Sequence, residues 1–246
     1  MRYVEDAKFG QSSIPRIVCW VEAACLAFGM PAAVWLSTHL FPALMPSVAQ
    51  GHDGTRFLFW IMQGAIVEWL FVFAAWAIVR RRGNSFRQLG VWRGGNVGAW
   101  ALALAVAAIS ISSNLRFLPR MHLPISSAFV PHGFHLAAAL LMGITAGFCE
   151  EALFRAFLMT EFEKAGYGKT VQIFVSGIAF GLSHAAYLNM GFIPWLGIVV
   201  PVALIGMCWG AAYLIGRRSL LPSLVAHFLN DATALPWIMF FMIIRR

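Results

Sequence analysis

HLAAALLMGITAGFCEEALFRAFL, residues 135–158, is uncharged from Leu136 to Cys149. It then sets two carboxylates, Glu150 and Glu151, and a guanidinium, Arg155, within two turns. Its length and apolarity predict a membrane-crossing helix, which takes about 20 predominantly apolar residues. A charged side chain near the centre of such a helix costs about 2.5–3.5 kcal/mol on insertion scales. Three ionisable groups there must face a wet, protein-lined interior rather than lipid.

The rest of the chain reads the same way. Of its 246 residues, 60% are hydrophobic and 11% charged, with a mean hydropathy of +0.75. A soluble domain would be about a quarter charged. Seven apolar spans can be drawn: 17–41, 57–79, 98–115, 135–162, 171–188, 195–216 and 220–244. The last contains Pro236 and forms one kinked helix or two. The expectation is an all-α polytopic bundle of seven to eight membrane helices with a polar intramembrane chamber. Residues 1–132 would form three motif-free spans, and 133–246 the functional helical core. Alternating ten-residue segments are absent, which argues against a membrane β-barrel. The first run, behind Glu5, Asp6 and Lys8, is too long for the h-region of a cleaved signal. Cys19, Cys25, Cys149 and Cys208 lie inside apolar runs without C-x-x-C spacing, so neither a disulfide framework nor a zinc knuckle follows.

The net charge of +8 points to lipid and topology, not nucleic acid, because the basic residues fall at the ends of apolar runs. Arg2, Lys8 and Arg16 precede the first span. Arg80, Arg81, Arg82, Arg87 and Arg93 follow the second, Lys164 and Lys169 the fourth, and Arg217 and Arg218 the sixth. The opposite loops hold Arg56, Arg116 and Arg120. This predicts a cytoplasmic N-terminus in an integral membrane protein, as of a bacterial inner membrane. Arg245 and Arg246 favour a C-terminus folded back to the cytoplasm.

Eight ionisable groups fall inside the spans. Glu22 and Glu68 stand alone on theirs, and each reads as a carboxyl hydrogen-bonded to a neighbouring helix. The other six, Glu150, Glu151, Arg155, His184, His227 and Asp231, cluster on three late helices. Glu151 and Arg155 are four apart and share a face, with Glu150 about 100° around the helix. Phe180 and His184, and His227 and Asp231, repeat that spacing. At about 1.5 Å per residue, Glu150 lies roughly 18 Å from one end of its helix, His184 roughly 20 Å, and His227 and Asp231 roughly 10 and 16 Å. These depths allow one shared level.

Carboxylates, imidazoles and an arginine suit the activation of water. Arg155 would hold Glu151 oriented and leave Glu150 to take a proton. The histidines could donate to an oxyanion or hold a metal, and His227 with Asp231 has the form of an imidazole with its orienting carboxylate.

The order E150-E151-A-L-F-R155, F180-G-L-S-H184, H227-F-L-N-D231, each on its own membrane helix, resembles the CPBP or ABI family. That family comprises type II CaaX prenyl endopeptidases and bacterial bacteriocin-processing or self-immunity proteins. The resemblance covers about residues 133–235. It implies an intramembrane endopeptidase acting on a membrane-associated or lipidated peptide or protein. In that light Glu150 corresponds to the catalytic base, Glu151 and Arg155 to its supporting pair, and His184 to the histidine beside the water. His227 and the residue four further on correspond to an oxyanion site, with Phe180 and Asn230 as substrate contacts. Many members have asparagine where this chain has Asp231. An ionised aspartate cannot donate to an oxyanion, so either Asp231 carries a proton, or it orients His227, or Asn230 takes the role. A metal is not required, and zinc at His184 and His227 stays open, although HExxH is absent.

Three rival readings carry less of the pattern. S176-G177-x-x-x-G181 with His227 would fit a rhomboid-like serine protease, but leaves Glu150, Glu151 and Arg155 unexplained, and small residues four apart serve close helix packing. A proton-coupled transporter also uses intramembrane Glu, His and Asp, but no inverted repeat of broken helices is present. A non-catalytic scaffold or immunity protein on the same bundle is the third.

Overall fold

A computed structural model describes residues 14–85, 90, 94–131, 133–185 and 191–244. Arg2, Lys8, Arg87, Arg93, Arg245, Arg246 and the end of the fifth expected span at Leu188 lie outside these. Helices make up the architecture, and no strand occurs among the described residues. The expected all-α membrane bundle is what forms.

The first helix, α1 (Arg16–Leu44), changes to a π-helical turn at Cys25–Gly29. Pro31 stands in the first turn after that break, where its missing N–H is tolerated. Helix α2 (Asp53–Arg81) carries an acid in its first turn and Arg80 and Arg81 in its last, which complements the helix dipole. Its buried residues are Phe57, Ile61, Gln63, Ala65, Val67, Val72, Ala75 and Val79, a broad face turned to the bundle. Glu68 beside them is half-buried. Helix α3 (Val97–Leu115) is capped by Asn96, whose Oδ1 accepts from the Ala99 N–H at 2.9 Å.

Helix α4 (Phe134–Lys164) is the central element, α-helical to Glu150, π-helical over Glu151–Leu158, then α-helical again. Helices α5 (Lys169–Leu182), α6 (Phe192–Ile215), α7 (Leu221–Ala232) and α8 (Leu235–Ile244) follow. A bend of 50° separates α7 from α8, with Pro236 in the first turn of α8. The last expected stretch is therefore two helices.

Among the described residues five helices are long and apolar enough to cross a membrane, or six when α7 and α8 count as one bent span. The fifth expected span, 171–188, is described only in part, as helix α5. Its 14 residues reach about 21 Å, short of a hydrocarbon core of about 30 Å.

Two glycine contacts set the spacing of the late helices. Helix α5 lies so close to α6 that a Cβ on Gly177 would stand 2.4 Å from Met207 Cγ, and one on Gly181 2.7 Å from the Val199 carbonyl. Those glycines serve packing, as small residues four apart do. Likewise a Cβ on Gly143 would stand 2.8 Å from the Phe228 ring, and one on Gly147 3.3 Å from the Phe228 N–H nitrogen. Helix α7 thus presses on α4 one turn before the two glutamates.

Basic residues from four places in the chain, the start of α1, the ends of α2 and α4 and the α6–α7 connection, meet at one end of the bundle. Arg82 pairs with Glu22 at 2.7 Å and with Glu161. Lys164 reaches Glu161 at 3.1 Å, Arg218 reaches Glu163 at 2.9 Å, and Arg16 reaches the Ala165 carbonyl at 3.5 Å. Large apolar side chains such as Leu70, Phe73, Ile109, Ile144 and Leu204 stay exposed on the outer faces, the surface a bilayer would cover.

Candidate active site

His227 is the hub. It sits on α7 one residue before Phe228, the side chain received by Gly143 and Gly147, so the close approach of α4 and α7 delivers its ring to the end of the α4 glycine stripe. Its Nδ1 lies 3.1 Å from Glu151 Oε1, and its Nε2 lies 3.3 Å from Glu150 Oε2. Asp231, one turn on, brings Oδ2 to 3.4 Å from the same Nε2. Carboxylate oxygens only accept, so this setting suits a ring with a proton on each nitrogen. All four side chains are buried.

The two glutamates are neighbours in sequence and yet both reach one imidazole. The helix changes from α to π between them, and a single turn of altered pitch re-aims side chains at such places. All eight residues of the π segment are buried, so its apolar side chains anchor the change of pitch from every direction.

Arg155 supports Glu151 from within this segment. Its Nε stands 3.3 Å from Glu151 Oε2, with both side chains fully buried, and its Nη2 donates to the Gly206 carbonyl at 3.4 Å. The guanidinium lies over the Phe180 ring, 4.5 Å from its centroid, and 5.9 Å from the Trp209 ring. Gly206 is small for a reason: a Cβ there would stand 2.7 Å from the Phe180 ring.

His184 closes the site from the end of α5. Its Nδ1 donates to the Phe180 carbonyl at 3.0 Å, which leaves Nε2 as the acceptor of the neutral ring. Both His184 and His227 meet the Phe180 ring edge-on, with centroids at 5.3 and 5.7 Å, and both lie within electrostatic reach of Glu150. Phe180 is therefore a buried wall between the histidines. Asn230 turns its amide nitrogen to Asp231 Oδ1 at 2.9 Å, so Asp231 is held by Asn230 on one side and faces His227 on the other. The structure brings Glu150, Glu151, Arg155, His184, His227 and Asp231 together, with Phe180 and Asn230 beside them.

A metal does not fit these residues. Among the described residues no group of three or more His, Cys, Asp or Glu is arranged to hold one. His227 turns both nitrogens to carboxylates at 3.1–3.4 Å, so the zinc site left open at His184 and His227 gains no further support.

Glu22 and Glu68 each read as a carboxyl hydrogen-bonded to a neighbouring helix. Glu22 is bonded to Arg82, which follows α2, whereas Glu68 Oε2 is buried without a hydrogen-bond partner; the charges of Glu150, His227 and Asp231 act on Glu68.

Fold and site together define a helical integral membrane protein with a buried glutamate–arginine–histidine cluster between its helices. Residues 131–233 match the family model described as Type II CAAX prenyl endopeptidase Rce1-like. This is the CPBP/CAAX protease family that the three motifs resemble, and it supports intramembrane protease activity. The match spans α4 to the end of α7 and leaves α1–α3 outside. No curated protein and no solved structure matches the chain.

Proposed function

We propose that this protein is an intramembrane endopeptidase that hydrolyses a peptide bond of a membrane-associated or lipidated peptide, with Glu150 as the base. One observation carries the reading: Glu150 and Glu151 both reach His227, at 3.3 and 3.1 Å, in the interior of a helix bundle. Glu151 is tied to Arg155 and to His227 Nδ1, which leaves Glu150 as the carboxyl with the looser hold and access to water beside His184 Nε2.

In the reaction Glu150 takes a proton from water, and the water oxygen bonds to the peptide carbonyl carbon. The carbonyl oxygen becomes an oxyanion, and His227 Nε2 donates to it, exchanging its long contacts of 3.3 and 3.4 Å with Glu150 and Asp231 for a shorter one. Collapse breaks the C–N bond, and the amine leaves with the proton from Glu150. Asp231 orients His227 rather than donating to the oxyanion, which fits an acid at this position. No metal enters any step. The basic end of the bundle faces the cytoplasm under the positive-inside rule, so the bond cut lies in the cytoplasmic half of the membrane. Residues 133–246 carry the chemistry and 1–132 the supporting helices.

The test uses protein in lipid nanodiscs and an internally quenched peptide ending in a farnesylated cysteine and three further residues. Wild type should cleave it before the last three residues, and Glu150→Ala should not. Cleavage that survives the substitution removes the assignment. Comparing membrane and secreted peptides of wild-type and Glu150→Ala cells would then name the natural substrate.

A further inference from the structure

Asn230 stands in the last turn of α7, and the mechanism above leaves it without a task. Its amide is oriented by the site itself. Nδ2 donates to Asp231 Oδ1 at 2.9 Å, and the other oxygen of that carboxylate lies 3.4 Å from His227 Nε2. A carboxylate only accepts, so the amide nitrogen faces Asp231 and the amide oxygen is left for another donor. That oxygen, Oδ1, is buried and meets no donor among the described residues. Glu151 Oε2 and Arg155 Nε also lack a hydrogen bond, but they face each other as an ion pair at 3.3 Å. Asn230 Oδ1 has no such compensation. A buried carbonyl oxygen is costly to leave unpaired. A site that keeps one discriminates strongly for a ligand that brings the donor.

The donor follows from the form of a peptide. In an extended chain the N–H and C=O of one residue point to the same side, so facing residues of antiparallel strands exchange two hydrogen bonds. A carbonyl oxygen received by His227 Nε2 therefore brings the N–H of its own residue with it. Asn230 is separated from His227 by one carboxylate and holds the acceptor which that N–H requires. We propose that Asn230 Oδ1 accepts the N–H of the substrate residue whose carbonyl is attacked. His227 and Asn230 then hold the two backbone groups of one residue, and Asp231 orients both side chains. Asn230 is in this way a specificity-determining residue. It selects an ordinary peptide residue at that position and rejects proline or an N-alkylated residue, which lack the donor. This rests on the hydrolase reading.

The test uses the farnesylated peptide in nanodiscs, in two forms. In the second form an ester oxygen replaces the N–H of the farnesylated cysteine, and the bond to be cut stays an amide. Wild type should cleave the ester form with kcat/KM about tenfold lower, the worth of one hydrogen bond. Asn230→Leu should cleave the amide form about tenfold more slowly than wild type, and the ester form at the same rate as the amide form. A purely structural role for Asn230 would lower both rates and keep their ratio, and that result overturns the proposal. So does a wild type that cleaves both forms equally while Glu150→Ala is inactive, a result that needs no folded Asn230 variant and leaves the hydrolase reading standing. A wild type that cleaves neither form sinks the hydrolase reading, and the affinities of the two peptides then decide the contact. Tighter binding of the amide form, lost in Asn230→Leu, supports it, and equal binding overturns it as well.

Discussion

Buried charge occurs in two places in this bundle, and the two are built differently. At the basic end, every carboxylate named above has a cation: Glu22 and Glu161 share Arg82, Glu161 also meets Lys164, and Glu163 meets Arg218. The three cations come from the ends of α2 and α4 and the α6–α7 connection, so the network ties the bundle together. In the interior, four carboxyls (Glu68, Glu150, Glu151, Asp231) face one guanidinium and two histidines, and contacts of 3.3 and 3.4 Å are common. In the first set each carboxylate is held by a cation, although Glu22 Oε2 is buried without a hydrogen-bond partner. The second has proton acceptors to spare and groups whose protonation can change. Stability and chemistry are thus separated along α4 by the stretch from Glu150 to Glu161, about 16 Å at 1.5 Å per residue, and substitutions should affect them separately.

The strongest way to break that comparison is at Glu150. Glu150→Ala should lower cleavage by about 10³-fold or more, within the range lost when a general base is removed, while the melting temperature in detergent changes by only a few degrees. His227→Ala should be nearly as damaging, because it removes the oxyanion donor and the contact that orients both glutamates. A variant at either position that loses activity only in proportion to lost folded protein would place the position with the structural set instead.

Arg155 lies between the two sets and should show both effects. Arg155→Met leaves Glu151 buried with His227 as its remaining charged partner. Breaking a buried pair from one side costs about 3–5 kcal/mol, so a fall in melting temperature and in activity should appear together. Arg155→Lys should recover stability better than activity, since an ammonium keeps the charge but loses the flat guanidinium that lies between Phe180 and Trp209.

At the basic end, the effect should be on stability alone. Arg82→Ala strips Glu22 of its partner and leaves Glu161 with Lys164 only. A loss of about 1–3 kcal/mol is expected, read as earlier thermal unfolding in detergent. Activity per folded molecule should stay within twofold of wild type. A large fall in kcat with stability unchanged would mean that the end of the bundle communicates with the site, and the separation argued above would fail.

The same contrast shows what the sequence could and could not reveal. The four-residue spacings of Glu151 with Arg155, Phe180 with His184, and His227 with Asp231 were legible because a helix repeats every 3.6 residues. That these pairs share an interior followed from the expense of placing them against lipid. The convergence of Glu150 on His227 was not legible. It depends on the change to π pitch at Glu151, which no residue pattern announces. Glu68 stands alone on its own span, and its nearness to groups on α4 and α7 depends on packing that no pattern within that span records. The partnership of Glu22 with Arg82 depends on tertiary packing alone. The fifth apolar run, 171–188, extends past the described part of α5, and hydropathy records composition, not where a helix stops.

Ser176 gives the smallest expected effect and sharpens the comparison from the other side. It is fully buried, and its hydroxyl donates to the Phe154 carbonyl at 2.8 Å, inside the π segment of α4. That carbonyl belongs to a turn whose backbone pairing differs from an α-helix, so the hydroxyl serves as a strut between α5 and α4. Neither the site's histidines nor its carboxylates take part in that hydrogen bond. A serine nucleophile would need its hydroxyl on a base, and this one is spent on a backbone oxygen. Ser176→Ala should therefore cost about 1 kcal/mol of stability, the net worth of one hydrogen bond, and leave the rate of cleavage within twofold. Loss of cleavage in a variant that folds normally would move the chemistry from Glu150 to Ser176, and the interior cluster of carboxyls would then be left as the structural set.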